Sequence, residues 1–302
     1  MKRQIRVCDK EIRVTGRLLR VARLEGDGFE FLDDPEHLLR GLRAADTRVD
    51  LFTYIPRLPA ATPSHVHPFE WDNFAVLPVS TFDHWWTQQI GFKARNKAKQ
   101  AEKKGVTVRE VPFDETLVRG IWEVYNECPV RQGRRFAHYG KDIKTVYEEE
   151  ATFLDRTILI GAFLEDKLIG FIKLVYDETR TQAATMNIVS MIAQRDKAPT
   201  NALIAQAVRS CAARGISYLV YSRFAYANKQ ADGILKFKEA NGFQRVDLPR
   251  YYVPMTPLGR VAFRLGLHRP LADHLPESAA EKLRHWRSSW HDREFQTAKE
   301  SA

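Results

Sequence analysis

Between residues 157 and 192 three strand patterns follow one another with only turns between them, and from residue 200 helix and strand alternate to residue 255. Consecutive strands close by hairpins, whereas a strand reached through a helix returns parallel to its predecessor. The order therefore commits the chain to an α/β (α+β) fold, a mixed sheet with helices on both faces. Thr157–Leu164 and Lys167–Tyr176 flank Glu165-Asp166, a hairpin turn, and residues 181–192 give the third strand. Residues 200–214 form a helix capped by Thr200 or Asn201, with Leu203, Ile204, Ala207, Val208 and Cys211 on one face and Gly215 at its end. A strand at 217–221, a helix at 231–240 and a strand pair at 243–246 and 251–255 complete the run. Upstream lie a strand at 106–111 and a helix at 114–127 that buries Leu117, Ile121, Trp122, Val124 and Tyr125.

The texture before residue 81 differs. Residues 1–48 read as irregular, while 49–55 and 73–79 read as strands joined by a segment holding Pro56, Pro59, Pro63 and Pro68. Thr81 caps a helical composition over 82–104 that ends at Gly105. A short helix is expected at 258–267, and Pro276-Glu277-Ser278 opens a longer amphipathic one through Trp286 and Trp290. The expected organisation is a small β-containing subdomain (1–80), a main domain (81–255) and a helical extension (256–302).

The chain holds 47 Lys and Arg against 38 Asp and Glu, a net +9 that favours anionic partners. Cys8, Cys128 and Cys211 are odd in number and widely spaced, which points away from a disulfide framework and toward the cytoplasm. No apolar run approaches the ~20 residues of a membrane span, and no apolar core follows the basic first residues as in a secretory signal. Phosphate-loop, dinucleotide, nucleophile-elbow and zinc motifs are absent, so no metal is expected. His65 and His67, near Asp72 and His84, read as residues of a proline-rich surface loop.

Three segments carry chemistry. Residues 95–106 place Arg95, Lys97 and further lysines on a helix that could hold phosphates. Residues 193–203 lead from a strand into a capped helix, whose N-terminal N–H groups, with Arg195 and Lys197, suit a pyrophosphate. Residues 233–243 place Lys238 four positions before Gly242-Phe243. The strand order, the Arg/Lys loop into the helix and the terminal Asn-Gly-Phe resemble the GNAT acyltransferase fold. The basic helical segment that opens at Arg95-Asn96 and ends at Gly105-Val106, Lys197-x-Pro199 and Phe237-Lys238 are similar to its Fem-type (FemABX-like) branch.

The resemblance implies transfer of an acyl group, acetyl first among candidates, from a CoA thioester to an amine of a small or peptide-like, anionic acceptor. It implies that Met191, Ala193, Arg195, Asp196, Lys197, Ala198, Thr200 and Asn201 bind the CoA. Lys238 would stabilise the transferring acyl group, and Asn187, Ser190, Ser222 and Tyr226 could position a water. The basic, aromatic loop with Arg131, Arg134, Arg135, His138 and Tyr139 would bind the acceptor, beside Arg95 and Lys97. Unlike ordinary acetyl-CoA loops, residues 195–200 lack both glycines, and Pro199 offers no N–H. The alternatives are Fem-type transfer from aminoacyl-tRNA to a cell-wall precursor, which alone would require a nucleic acid, and a non-catalytic binding module. Arg260, Arg264, Arg269, Arg284 and Arg287 around Phe263, Leu265, Leu267 and Trp286 add a possible peripheral membrane contact.

Overall fold

A computed structural model describes residues 2–26, 28–32, 34–131, 134–225 and 233–269. Tyr226 and the helix expected after Pro276 lie outside the described residues.

The N-terminal stretch expected to be irregular is instead regular. Strands β1 (Lys2–Val7), β2 (Lys10–Thr15) and β3 (Val21–Leu24) precede helix α1 (Pro35–Ala44). Ile5 and Val7, Ile12 and Val14, and Ala22 and Leu24 alternate with polar residues, so one face of each strand packs inward despite its charge. Cys8 and Asp9, both at positive φ (48° and 62°), make the tight turn between β1 and β2. Asp34 caps α1 by accepting from the His37 N–H at 3.2 Å.

Strands β4 (Leu51–Tyr54) and β5 (Phe69–Pro78) follow. The single helix expected over 82–104 is broken in two. A three-residue turn α2 (Phe82–His84) passes into a π-turn (Trp85–Gln89), the chain turns extended at Ile90, and α3 (Phe92–Lys103) begins afresh. Tertiary contacts cause the break: the buried Trp85 indole donates to the Asn241 carbonyl at 2.9 Å and the Gly91 N–H to the Ala240 carbonyl at 2.8 Å. A Cβ at Gly91 would lie 3.2 Å from that same Ala240 oxygen.

Next come β6 (Val106–Glu110), α4 (Glu115–Asn126), the two-residue strands β7 (Val130–Arg131) and β8 (Arg134–Arg135), and α5 (Ile143–Glu150). Strands β9 (Thr157–Leu164) and β10 (Lys167–Tyr176) meet at the expected Glu165-Asp166 turn. β11 (Gln182–Ser190), a 3-10 turn (Ile192–Lys197), α6 (Pro199–Ala213) and β12 (Tyr218–Arg223) follow. The chain then forms α7 (Gly233–Ala240), β13 (Gln244–Pro254) and α8 (Pro257–Arg264). β13 replaces the expected strand pair with one continuous strand through Pro249, held by β5 from Gln244 to Tyr251 and by β4 from Tyr251 to Pro254.

Two compact units form. The first draws on Met1–Phe92, Leu174–Thr185 and Val208–Pro270. Its strands run in the order β1-β2-β3-β4-β13-β5-β12, then the start of β11. β3 and β4 are parallel, as are β11 and β12 over Gln182–Ala184 and Tyr218–Val220. β5, from the segment expected to form a separate subdomain, is paired on both sides by strands from beyond residue 217. Leu38, Leu39 and Leu42 of α1 cover Ile12, Val14, Phe52, Tyr251 and Val253. His65 and His67 set their rings edge-on to Tyr54 in this unit.

The second unit draws on Lys93–Lys173 and Met186–Ala207. Its strands run β11-β10-β9-β6, with β6 antiparallel to β9. α4 buries Leu117, Val118, Ile121, Val124 and Tyr125, one face at helical spacing. Among the described residues no helix is long and apolar enough to cross a membrane.

Candidate active site

The second unit encloses a group of ionisable side chains around Glu150, the last residue of α5. Glu150 is 1% exposed. Its Oε1 accepts from the Tyr125 hydroxyl of α4 and from Asn187 Nδ2 of β11, each at 2.8 Å. Lys173, fully buried on β10, donates to the Glu150 backbone carbonyl at 2.6 Å and to Thr152 Oγ1 at 3.1 Å. Its Nζ is 3.9 Å from Glu150 Oε2, which accepts no hydrogen bond among the described residues. His138 stacks on Tyr125 with ring centroids 4.3 Å apart, and Lys141 is held by Glu149 at 2.6 Å.

Burial raises the Glu150 pKa above its ordinary value against the pull of the Tyr125 hydrogen bond and the Lys173 charge. Burial lowers Lys173, with Glu150 acting the other way. Burial and the neighbouring Lys141 ammonium lower His138. The helix end adds to the strain, because three consecutive glutamates stand where the helix dipole disfavours negative charge. A carboxyl whose folded pKa is raised contributes stability below its unfolded pKa and loses it as pH climbs through the folded value. Relative to Glu150→Gln, which does not titrate, the native chain is therefore expected to lose stability as pH rises from 4.5 toward neutrality. Urea unfolding at several pH values measures this, and a difference that stays flat or runs the other way would contradict the assignment.

The residues that lead into the loop expected to bind a pyrophosphate spend their N–H groups on the protein itself. The Met191 N–H donates to the Ile169 carbonyl at 2.8 Å. The N–H groups of Ile192 and Ala193 donate to the Glu127 carboxylate at 3.1 and 2.8 Å. The 3-10 turn ends at Ala198, in the left-handed region at φ 53°, and Pro199 opens α6 without an N–H. Asp196 projects a carboxylate bound by Lys104 at 2.9 Å, and Gln100 donates to its carbonyl at 2.9 Å, which ties the turn to α3. Thr200 and Ser190 share a hydroxyl–hydroxyl bond of 2.8 Å. Arg195 is exposed, Lys197 is half-buried, and Asn201 is buried at the start of α6.

Of the residues expected to bind an acceptor, Arg131 is committed to the fold. Its guanidinium donates to the carbonyls of Ser190 and Val124 at 2.6 and 2.9 Å and stacks over Phe136 at 4.4 Å. Arg134, Arg135 and Tyr139 are exposed and His138 is half-buried. On α3 Lys97 is exposed and Arg95 half-buried. A cavity of about 620 Å³ elsewhere in this unit, lined in part by Arg109, Arg119, Phe163 and Lys167, shares no residue with the Glu150 group.

Lys238 belongs to the first unit. It is fully buried at the end of α7, donates to the Arg223 carbonyl and lies 4.9 Å from the Tyr221 ring centroid. Ser222, also in this unit, is exposed with φ 50°.

Solved structures of similar shape identify the architecture. The chain matches FemX with a TM-score of 0.59 at 11% identity, over 86% of this chain and 90% of that one. It matches a structure described as the C-terminal domain of a lysylphosphatidylglycerol synthetase from Agrobacterium fabrum with a TM-score of 0.56 at 13% identity, over 87% of each chain. For L-PGS from Bacillus licheniformis the TM-score is 0.55 at 15% identity, over 89% and 90%. The fold is GNAT-like and resembles the Fem type. No protein-family model matches the chain, and no curated protein matches it in sequence.

Within this Fem-like fold the structure joins Asn187 to Glu150, and Ser190 to Thr200. Sequence reasoning missed Glu150, Tyr125 and Lys173. Two signals were available: Lys173 interrupts the apolar run of β10, and Glu148-Glu149-Glu150 closes a helix at its unfavourable end.

Proposed function

We propose that this chain is a cytoplasmic acyltransferase that moves an aminoacyl group from an aminoacyl-tRNA to the amine of a small or peptide-like acceptor. The observation that carries this reading is the turn before α6. A CoA pyrophosphate needs uncommitted N–H donors there. The turn instead offers the Asp196 carboxylate, a proline where α6 begins and, at its start, the Ile192 and Ala193 N–H groups already bonded to Glu127. Exposed Lys93, Lys97, Lys99 and Lys103 on α3, with no ion pair among the described residues, supply the charge that a nucleic-acid backbone requires. The free thiols of Cys8, Cys128 and Cys211 agree with a reducing compartment.

In this reading Asn187 is the side chain that meets the acceptor. Glu150 takes its Nδ2, which leaves Oδ1 to accept a hydrogen bond from the acceptor nitrogen. That nitrogen bonds to the carbonyl carbon, the ester C–O bond breaks, and one proton passes from nitrogen to the leaving ribose oxygen. Arg134 and Arg135, exposed on β8, suit an anionic acceptor.

A CoA thioester donor is the second reading, favoured by Arg195 and Lys197 beside the start of α6. The test gives the purified chain aminoacyl-tRNA or acetyl-CoA with a panel of amines. Amine-dependent deacylation of the tRNA, abolished by ribonuclease, is the expected result. Thiol release from acetyl-CoA that ribonuclease leaves untouched would transfer the reading to CoA, and consumption of neither donor would leave a binding module.

A further inference from the structure

Residues 257–269 read Pro-Leu-Gly-Arg-Val-Ala-Phe-Arg-Leu-Gly-Leu-His-Arg and contain no acid. Thr256 caps α8 by accepting from the Gly259 N–H at 3.1 Å. One side of the helix is used against the protein. Gly259 lies so close to the Asp50 carbonyl that no Cβ fits, Ala262 is buried, and Phe263 packs its ring with Tyr252 and His268.

Leu258, Val261 and Leu265 are 42%, 51% and 64% exposed, and Leu267 is 60% exposed. The first three are spaced three and four residues apart, so they form one stripe. Arg260 and Arg264, one turn apart and exposed, form a second stripe beside it, and neither makes an ion pair among the described residues. Arg269 is different, because Glu70 holds it at 2.7 Å.

Single exposed apolar residues need no explanation. Four within ten positions, two on α8, one at its C-cap and one in the turn beyond, in a stretch without an acid, form a patch. A second copy of the chain would bring Arg260 and Arg264 against their own images across a two-fold axis. An anionic bilayer satisfies both stripes at once, taking the apolar one at the acyl boundary and the cationic one at the phosphates.

We propose that α8 docks the protein on an anionic membrane surface, with Leu258, Val261, Leu265 and Leu267 entering the headgroup boundary and Arg260 and Arg264 on lipid phosphates. The proposal does not depend on the transfer chemistry. The full chain is sedimented with vesicles of phosphatidylcholine alone and of phosphatidylcholine mixed with phosphatidylglycerol. Binding to the mixed vesicles only is expected. Val261→Glu with Leu265→Glu should lower the partition coefficient tenfold or more, by roughly the loss expected for apolar contact replaced by charge. Arg260→Gln with Arg264→Gln should lower it about five-fold per arginine. All four positions are exposed, so the melting curves stay native, and donor consumption without vesicles is unchanged. The proposal is overturned if mixed vesicles do not bind, if either double variant binds as the parent does, or if light scattering shows a dimer that Val261→Glu with Leu265→Glu dissociates.

Discussion

Replacing Glu150 by glutamine is expected to lower kcat about a hundredfold, the scale set by misplacing a reacting group by ~1 Å, while KM for the donor stays within a factor of about two. A buried carboxylate only accepts, so it takes the Asn187 Nδ2 and leaves Oδ1 for another partner. Glutamine can donate as well as accept, and that lets the Asn187 amide turn over. Asn187→Ala removes the same contact directly and should cost as much. Because both changes act on one interaction, the double variant should be no slower than Asn187→Ala alone. Costs that multiply, or a glutamine variant of full activity, would remove Glu150 from the reaction. Glu150→Ala is a separate matter. It leaves the buried Tyr125 hydroxyl without its acceptor and the Lys173 ammonium without the carboxylate 3.9 Å away, although Lys173 keeps its bonds to the backbone carbonyl of residue 150 and to Thr152, at a cost of about 3 kcal/mol in urea unfolding. Deprotonation of Lys173, whose pKa is already lowered, reduces that cost.

The contrast between these residues and the strands around them shows where the sequence speaks. β9 and β10 were legible to the residue, because an apolar run on each side of Glu165-Asp166 admits one turn, and Glu165 takes the left-handed conformation there. α6 was legible from its apolar spacing and Gly215. β1 to β3 were hidden because their alternation is carried by few apolar residues among many arginines and lysines. The break at Ile90 was hidden because it depends on Asn241 and Ala240, some 150 positions away. Separation along the chain also hid the site. Asn187 was visible as a polar residue on a mixed strand, but its partner Glu150 sits 37 positions upstream, and only the fold, which bonds Glu150 to Lys173 of β10 and Asn187 of β11, brings it there. Burial, which raises its pKa, is likewise a property of the fold and not of the residue.

Binding of tRNA to the chain is expected to weaken by about two orders of magnitude between 50 and 200 mM salt, the loss for roughly four neutralised phosphates. The count comes from α3. Ala94, Ala98 and Ala101 are its buried side, so Lys93, Lys97, Lys99 and Lys103 are turned to solvent without ion pairs among the described residues. Lys104 is left out of the count because Asp196 already holds it, and Arg95 because it is half-buried. Lys97→Glu with Lys99→Glu removes two of the four and should flatten the slope of log affinity against log salt by about two units. The fold should not notice, since both side chains are exposed. A bare basic protein of net +9 would also bind tRNA at low salt, so the slope of the double variant is the decisive quantity. If the lysines elsewhere carried the binding, the variant would keep the parent's slope. If CoA were the donor, salt and ribonuclease would both leave turnover unchanged. Only a backbone-tracking role for α3 ties the loss of two charges on one helix to a change in slope and to a matching loss of transfer at physiological salt.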